Sequence, residues 1–268
     1  MYVLLIQILL LLLITGIVFF NLYPLYWHEL CLMCHLVYPK RLEQNMIPVP
    51  KTRKHRILIV SYDNRPHLDF VKIHVANVSA YCSRWNIDYQ FLTECRHNTY
   101  FCKIYMVLEG LQTNLYDYVV WMDTDIIITK PEIDLNTIIN TYDSDIYIGT
   151  ELVNTSLCSG FFIIKNSSIG RKLLEDCILF FNKQRQICMN PSGQLNGRWG
   201  GICYEQGILN YLIFKHRNYY DKTTILKRNI IDNVSQCRTG SFMLHYCRAS
   251  PEKRAQCFTR ILQEICRY

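Results

Sequence analysis

Three short strand-like segments, separated by two stretches with helical periodicity, constrain the fold of this chain more than any other feature. The segments cover residues 57–62, 88–93 and 118–122, and the helical stretches cover residues 68–84 and 101–115. The first and third segments are almost continuously apolar, which is typical of strands buried on both faces. Strands that alternate with helices are parallel and are joined by right-handed crossovers. We therefore predict an α/β, Rossmann-like fold, with a mostly parallel sheet and helices on both faces.

The second half of the chain continues the pattern less regularly. Strands are predicted at residues 145–149 and 159–165, followed by a last apolar run at 242–245. Further helices are predicted at residues 134–141, 168–185, 204–214 and 251–267. Because these elements follow the first three strands without a linker, we assign all of residues 56–268 to one domain.

The amino-terminal residues differ in character from that domain. Residues 3–20 are nearly all apolar, and a helix of that length would be about 27 Å long, close to the thickness of a bilayer's hydrocarbon core. The following residues contain several prolines and no sustained periodicity. We predict a membrane anchor at residues 1–22 and a stem at residues 23–55.

The formal net charge is +7, and much of the excess positive charge lies at residues 51–56. Such a basic run is found on nucleic-acid-binding surfaces and also in solvated segments close to acidic lipid headgroups. No nucleic-acid-binding motif accompanies the run, so we expect a stem and no nucleic-acid partner.

Cysteine content and charge point to opposite sides of a membrane. All 13 Cys follow the apolar segment, which indicates an oxidising compartment with some disulfides. Glycosylation sequons, which are compatible with a lumenal domain, occur at Asn77, Asn154, Asn166 and Asn233. The nearby Lys and Arg residues all lie after the segment, however, and the positive-inside rule places such residues in the cytoplasm. The residues by themselves leave the orientation open.

The strand at residues 118–122 ends directly in Asp123 and Asp125. Where a strand ends the chain turns, so two carboxylates at this spacing can converge on one cation. Hard oxygen ligands suit Mn²⁺ or Mg²⁺. Such a cation would bridge two phosphate oxygens of a nucleotide sugar and neutralise the charge that develops on the leaving diphosphate. We predict a metal site of this kind, because the preceding apolar strand disfavours a solvated surface turn.

Two alternatives remain for this pair of aspartates. In haloacid-dehalogenase-like phosphatases, the first Asp of a similar strand-end pair is a nucleophile, but that site also needs a downstream Lys followed by an acidic pair. The carboxyl-terminal half shows no such acidic pair after a strand. The second alternative is an inactive protein that binds a nucleotide sugar or a glycan.

Four blocks of sequence carry a resemblance to a known family. The first block, residues 118–133, reads YVVWMDTDIIITKPEI and contains the aspartate pair. The others are SGFFIIKNS at residues 159–167, YEQGIL at 204–209 and FMLHY at 242–246. In this order the blocks resemble glycosyltransferase family 34, whose members transfer galactose, mannose or xylose. The resemblance covers residues 57–250, with Cys158 where the family has Asn.

This resemblance implies a GT-A fold and a retaining transfer from a UDP- or GDP-sugar to an oligosaccharide or glycoprotein acceptor. It implies His245 as the third metal ligand, and an imidazole nitrogen suits Mn²⁺. It also implies a single-pass type II membrane protein of the Golgi or endoplasmic reticulum with a lumenal domain. A homo-oligomer is a further expectation.

Other candidate residues lie at strand ends and helix starts. At the end of the first strand, the predicted ligands of the base and ribose are Ser61, Tyr62 and Asp63. Lys103 matches a basic position of the family and is a candidate for a phosphate contact. The family glycine that follows the His block is absent, so Arg248 or Lys253 is expected to supply phosphate charge instead.

The remaining candidates concern the transferred sugar and the acceptor. Ser159 and Gly160 are expected to bring backbone close to the donor sugar, because glycine leaves room for close approach. Glu205 and Gln206 are the candidate catalytic residues, either for a double displacement or for hydroxyl binding. Trp199, in a glycine-rich loop, is a candidate sugar platform. A same-face displacement, in which the leaving phosphate accepts the proton, is the other mechanism considered.

Overall fold

The computed structural model describes residues 54–151, 156–234 and 236–265. The strands, in chain order, are β1 (Ile57–Tyr62), β2 (Asp88–Leu92), β3 (Tyr118–Met122), β4 (Ile126–Ile128), β5 (Ile146–Thr150), β6 (Leu157–Lys165), β7 (Thr223–Ile225), β8 (Ile231–Asn233) and β9 (Met243–His245). The helices are α1 (Asp69–Trp85), α2 (Cys102–Gln112), α3 (Leu135–Tyr142), α4 (Ser168–Cys188), α5 (Glu205–Lys215), α6 (Arg217–Tyr220) and α7 (Pro251–Ile265).

The main sheet has the strand order β2-β1-β3-β6-β5-β7. Strand β6 runs antiparallel to its neighbours β3 and β5, and the other neighbouring pairs are parallel. A second sheet has the order β4-β9-β8. The predicted α/β fold with a mostly parallel sheet is therefore confirmed, and the small second sheet is an addition that the sequence did not indicate.

Both faces of the main sheet are covered. Leu58 and Val60 of β1 belong to a core shared with α2, α4 and α5 on one face. Ile57 and Ile59 belong to the opposite core, which includes side chains of α1 and α3. Because successive side chains of a strand point to opposite faces, burial on both sides explains why β1 and β3 are so continuously apolar.

The membrane prediction requires a correction. Within the ranges that the structure describes, no helix has both the length and the apolar character needed to cross a bilayer. On this finding the predicted localisation, a single-pass type II protein of the Golgi or endoplasmic reticulum, is corrected and is not carried further. The proposed anchor, residues 1–22, lies outside the described residues, as does the stem up to residue 53. The structure gives no support for the expected membrane partner or homo-oligomer.

Three disulfides confirm the expectation that some cysteines are paired. They join Cys95 to Cys102, Cys188 to Cys203 and Cys237 to Cys257. The first two each close a short loop directly before α2 or α5, and the third fastens α7 to the segment before β9.

The sequon asparagines inside the described ranges serve the fold itself. The side-chain amides of Asn77 and Asn166 donate hydrogen bonds to backbone carbonyls. Asn233 is buried and donates to a carbonyl at the end of β5. Because these amide nitrogens are already engaged within the fold, the three sequons add no weight to a lumenal domain. The fourth, Asn154, lies outside the described residues.

Candidate active site

The two aspartates lie where the chain passes from the large sheet to the small one. The backbone N–H of Asp123, directly after β3, donates to the carbonyl of Gly160 on β6 (2.8 Å). The carbonyl of Asp125, directly before β4, accepts from the N–H of Tyr246 after β9 (2.9 Å). Pairing of β4 with β9 sets Ile126 opposite His245. The strand pairings on both sides of the turn therefore fix the positions of Asp123, Asp125 and His245.

Asp123, Asp125 and His245 together form a candidate metal centre. Each offers one ligand atom, and these atoms lie within 4.8 Å of one another. The Nε2 atom of His245 lies 3.0 Å from Oδ1 of Asp125. The other ring nitrogen, Nδ1, is hydrogen-bonded to the side-chain oxygen of Asn233. Asn233 thereby fixes the ring and directs Nε2 to the carboxylates, as partners of metal-binding histidines commonly do. Two carboxylates and one imidazole suit Mn²⁺ or Mg²⁺.

Gly160 leaves the space that the His245 ring occupies. A Cβ atom at this position would overlap the ring and lie 2.9 Å from its Nδ1 atom. His245 is buried and bonded at both nitrogens, so it has no room to move aside. The glycine is therefore required for the position of the third ligand.

Asp123 is paired with a buried lysine. Lys103 of α2 lies 3.1 Å from Asp123 and 3.2 Å from Glu205, and it also donates to the carbonyl of Ser159 (3.3 Å). Burial acts to lower the pKa of Lys103, but the charges of Asp123 and Glu205 outweigh it and raise the pKa. Trp121 donates its indole N–H to Asp123 (2.6 Å). Lys103 is thus a fixed positive charge in the floor of the site.

Asp125 is paired with an arginine from the last helix. A guanidinium nitrogen of Arg254, in α7, lies 3.0 Å from the second oxygen of Asp125. Burial acts to raise the pKa of Asp125, but the positive charges of His245 and Arg254 outweigh it and lower the pKa to about 2. The carboxylate is therefore charged at neutral pH, as a metal ligand must be.

A third carboxylate lies at the end of β1. Asp63 accepts two hydrogen bonds from the side chain of Arg65, both 2.9 Å, and one from the hydroxyl of Thr124 (2.7 Å). The guanidinium groups of Arg65 and Arg254 both lie over the ring of Phe70, at 5.9 and 5.3 Å from its centroid. Asp63, Arg65 and Arg254, which we call the charged wall, thus form one connected group around this ring.

These groups face a cleft of about 500 Å³. Its lining residues are Tyr62, Asp63, Asn64, Arg65, Thr99, Tyr100, Lys103, Trp121, Asp123, Thr124, Asp125, Trp199 and Arg254. The rings of Tyr100 and Trp199, together with the neighbouring ring of Tyr204, form what we call the aromatic wall. The cleft lies beyond the carboxyl ends of β1 and β3, where open α/β sheets bind their ligands.

The structure brings several sequence-predicted residues together in this cleft. Tyr62, Asp63, Lys103, Asp123 and Asp125 line it. His245 lies directly beside Asp125. Trp199, the predicted sugar platform, also lines the cleft.

Other predicted residues lie elsewhere. The Ser61 side chain is buried and hydrogen-bonded to His74 (3.1 Å), so it does not reach the base or ribose region. Lys253 is exposed, and its neighbour Arg254 makes the contact with Asp125. Arg248 is likewise exposed and does not line the cleft.

The two candidate catalytic residues are buried beneath the cleft. Glu205 accepts from the hydroxyl of Ser159 (2.9 Å), and Gln206 accepts from its backbone N–H (3.1 Å). Neither Glu205 nor Gln206 is among the residues that line the cleft, and the same holds for Ser159 and Gly160. These four residues therefore support the floor of the site from below.

Sequence reasoning missed several contributors to the site. Arg65 and Arg254 carry its peripheral positive charge, Trp121 and Asn233 orient the ligands, and Tyr100 forms part of the aromatic wall. Arg65 stands two residues after the predicted ligand Asp63, and that spacing was an available signal. The contact of Arg254 with Asp125 depends on how α7 packs, which a single sequence does not show.

The α/β topology and the candidate metal site at a strand end are those of a fold of the GT-A type. One similar solved structure is a glycosyltransferase involved in the glycosylation of the major capsid of PBCV-1. The similarity covers 76% of our chain and 99% of the solved chain, with a TM-score of 0.60 and 12% sequence identity. The glycosyltransferase GlyE of Streptococcus pneumoniae TIGR4 matches with a TM-score of 0.47 and 13% identity, over 79% of this chain and 63% of GlyE.

The comparisons of sequence alone found no relative. No protein-family model and no curated protein matches the chain. The predicted membership of family 34 is therefore not confirmed, whereas the GT-A fold that this resemblance implied is supported by the structural similarity.

Proposed function

We propose that this chain is a metal-dependent glycosyltransferase that moves a hexose or pentose from a UDP- or GDP-sugar to a glycan acceptor. One observation carries the proposal: Asp123, Asp125 and His245 converge beside a cleft at the carboxyl edge of a GT-A sheet. In that position a bound Mn²⁺ or Mg²⁺ would supply Lewis-acid stabilisation of a leaving diphosphate.

The surrounding residues suit the parts of a nucleotide sugar. Arg254 and Lys103 place positive charge on two sides of the metal centre, and phosphate oxygens are attracted to such groups. We assign the nucleoside to the end of β1, where Tyr62 offers an aromatic ring and Asp63 a carboxylate that can accept from ribose hydroxyls. The fixed partners of these groups keep them oriented before a ligand arrives.

We further propose retention of configuration by same-face attack. A double displacement needs a nucleophile that touches the donor sugar. Glu205, the carboxylate that the sequence suggested for this role, is fully buried and is bonded to Lys103 and Ser159. In our proposal Glu205 and Gln206 are positioning residues, and the acceptor proton passes to the leaving phosphate.

Isothermal titration of the full chain with UDP and with GDP, each with and without Mn²⁺, tests the proposal. We expect one of the two nucleotides to bind, and to bind only when Mn²⁺ is present. Absence of nucleotide binding under every condition would contradict the proposal.

A screen for donor hydrolysis across nucleotide sugars then identifies the sugar. Release of phosphate from simple monoesters would favour the phosphatase alternative instead. Nucleotide binding without hydrolysis or transfer for any donor and glycan would favour the inactive binding protein.

A further inference from the structure

Three aromatic rings lie together, and two of them, those of Tyr100 and Trp199, line the cleft. The ring centroids of Tyr100 and Trp199 are 5.1 Å apart, those of Tyr100 and Tyr204 are 5.0 Å apart, and those of Trp199 and Tyr204 are 5.4 Å apart. Edge-to-face and tilted arrangements at these distances are favourable for aromatic pairs. The aromatic wall is therefore a cohesive surface and not a set of independent side chains.

This wall remains accessible to solvent. Trp199 is 55% exposed and Tyr100 is 37% exposed. The large exposed apolar side chains of the described residues are Tyr100, Leu115, Leu179, Ile187 and Trp199. The two aromatic residues of that group both line the cleft that contains the aspartates. Exposed aromatic surface is costly to maintain in water, and its concentration at the cleft points to a ligand.

The loops that carry these rings are held in place. Tyr100 lies within the segment closed by the Cys95–Cys102 disulfide, and Trp199 lies within the segment closed by Cys188–Cys203. On either side of Trp199, Gly197 and Gly200 have φ angles of +89° and +73°, which side-chain-bearing residues rarely adopt. The backbone thus turns sharply around Trp199 and presents its ring, and a surface fixed in advance binds at a lower entropic cost.

The chemistry of the aromatic wall differs from that of the rest of the cleft. Its three side chains carry no charge, and their only polar groups are two phenol hydroxyls and an indole N–H. The metal centre and the charged wall are suited to phosphate. A pyranose ring offers an apolar face of C–H groups with hydroxyls around its edge, and it matches a flat aromatic surface with polar tips.

We propose that Tyr100, Trp199 and Tyr204 form the acceptor subsite, with Trp199 stacking on the apolar face of an acceptor sugar. The choice of a glycan as ligand rests on the proposed function. A nucleobase also stacks on aromatic rings. However, the end of β1 already offers Tyr62 and Asp63 for a nucleoside, so we assign the aromatic wall to the acceptor.

The test uses the full chain, Mn²⁺ and whichever of UDP and GDP binds, together with a printed glycan array that includes terminal galactose, glucose, mannose and xylose. Wild-type protein is compared with Trp199→Ala, Trp199→Phe and the control Leu179→Ala, which removes a similarly exposed apolar side chain from α4 outside the cleft. We expect Trp199→Ala to weaken glycan binding about tenfold. Trp199→Phe should retain most of the affinity, Leu179→Ala should be unchanged, and nucleotide affinity should be the same in all four proteins.

Several outcomes would overturn the inference. One is that the wild type binds no glycan in the array, and another is that Trp199→Ala binds glycans as the wild type does. Weaker UDP or GDP binding in Trp199→Ala would assign the ring to the nucleobase. Thermal unfolding of each variant shows whether a loss of glycan affinity reflects misfolding. If Trp199→Ala is misfolded, the glycan affinity of Trp199→Phe decides whether the ring binds the acceptor. Failure of the proposed function is a different result, namely that the wild-type protein binds neither UDP nor GDP.

Discussion

The charged wall and the aromatic wall of the cleft are built in different ways. Asp63, Arg65 and Arg254 are joined to one another and to Asp125 by ion pairs and by the shared ring of Phe70. The side of the cleft with the candidate metal site, which we call the metal side, is fixed by strand pairing in two sheets. The rings of Tyr100 and Trp199 instead project from loops, each closed by a disulfide.

In the proposed function, this difference separates the groups that would bind metal and phosphate from those that would bind the acceptor. Groups fixed by strand pairing and by ion pairs are held in one geometry, which is what metal binding and phosphate stabilisation require. Groups on loops can differ between proteins without disturbing the sheet, so they are suited to choosing an acceptor. In this chain we expect changes on one side of the cleft to leave binding on the other side intact, and the variants below test that separation.

The largest effect on the metal side is expected for Asp125→Asn. The amide is a weaker metal ligand and cannot carry the negative charge that holds His245 and Arg254. We expect Mn²⁺-dependent nucleotide affinity to fall by more than the roughly 100-fold that follows loss of a residue that only orients a ligand. Titration calorimetry measures this change, and donor hydrolysis should disappear with it.

Asp143→Asn is the matched control for this variant. Asp143 is an exposed carboxylate paired with Lys165 on the surface, so its neutralisation should leave nucleotide binding unchanged. Wild-type affinity in Asp125→Asn would refute the metal centre. Equal losses in the two variants would point to a general effect of charge.

A smaller effect is expected for Gly160→Ala. The added methyl group would overlap the His245 ring, and overpacking of this kind costs about 1–3 kcal/mol. Because the displaced group is a proposed metal ligand, Mn²⁺ affinity should fall as well as stability. Both quantities can be measured, by calorimetry and by urea unfolding.

Gly110→Ala separates these two consequences. A Cβ atom there would lie 3.2 Å from side-chain atoms of Leu58 and Val119, in the core and away from the metal ligands. Alanine in the middle of α2 also gains helix propensity, which opposes this crowding. We expect Gly110→Ala to leave Mn²⁺ affinity unchanged whatever its effect on the free energy of unfolding. If Gly160→Ala also left Mn²⁺ affinity unchanged, His245 would not be a ligand.

Arg254→Gln should change two affinities in opposite directions. Arg254 places a positive charge on an oxygen of Asp125, so it competes with a cation but favours a diphosphate. We expect Mn²⁺ alone to bind more tightly and the nucleotide with Mn²⁺ to bind about fivefold more weakly, which corresponds to about 1 kcal/mol. Arg217→Gln, at an exposed ion pair on α6, is the control. Parallel changes in the two affinities would exclude a phosphate contact by Arg254.

Much of the framework of this site was accessible from the sequence. The positions of β1 and β3 follow from their apolar runs, and the carboxylates at 123 and 125 follow from where β3 ends. Strands β4, β7 and β8 were not predicted, because strands of only three residues are too short to show a period. Their absence from the prediction hid the second sheet that sets His245 opposite Ile126.

The contacts between distant segments could not be predicted in the same way. Arg254 reaches Asp125 because α7 packs beside α1, whereas the neighbouring Lys253 points to solvent. The sequence identified basic residues in this segment but not which side of the helix faces the site. The aromatic wall brings together Tyr100 and Trp199 from separate loops, so only one of the two rings was recognised beforehand.

The smallest effect on nucleotide binding is expected when the disulfide behind Trp199 is removed. Replacing Cys188 and Cys203 with Ser releases the loop, so glycan affinity should fall about threefold while nucleotide affinity stays unchanged. Replacing Cys237 and Cys257 with Ser should lower nucleotide affinity and leave glycan affinity unchanged, because that disulfide anchors the helix that carries Arg254. The two disulfides close loops of similar length, and removal of either should lower the free energy of unfolding by about 3 kcal/mol. A loss of stability alone therefore cannot lower glycan affinity in one variant and nucleotide affinity in the other. Calorimetry and the glycan array measure the two affinities, and equal losses of both in both variants would show that the two walls are not independent.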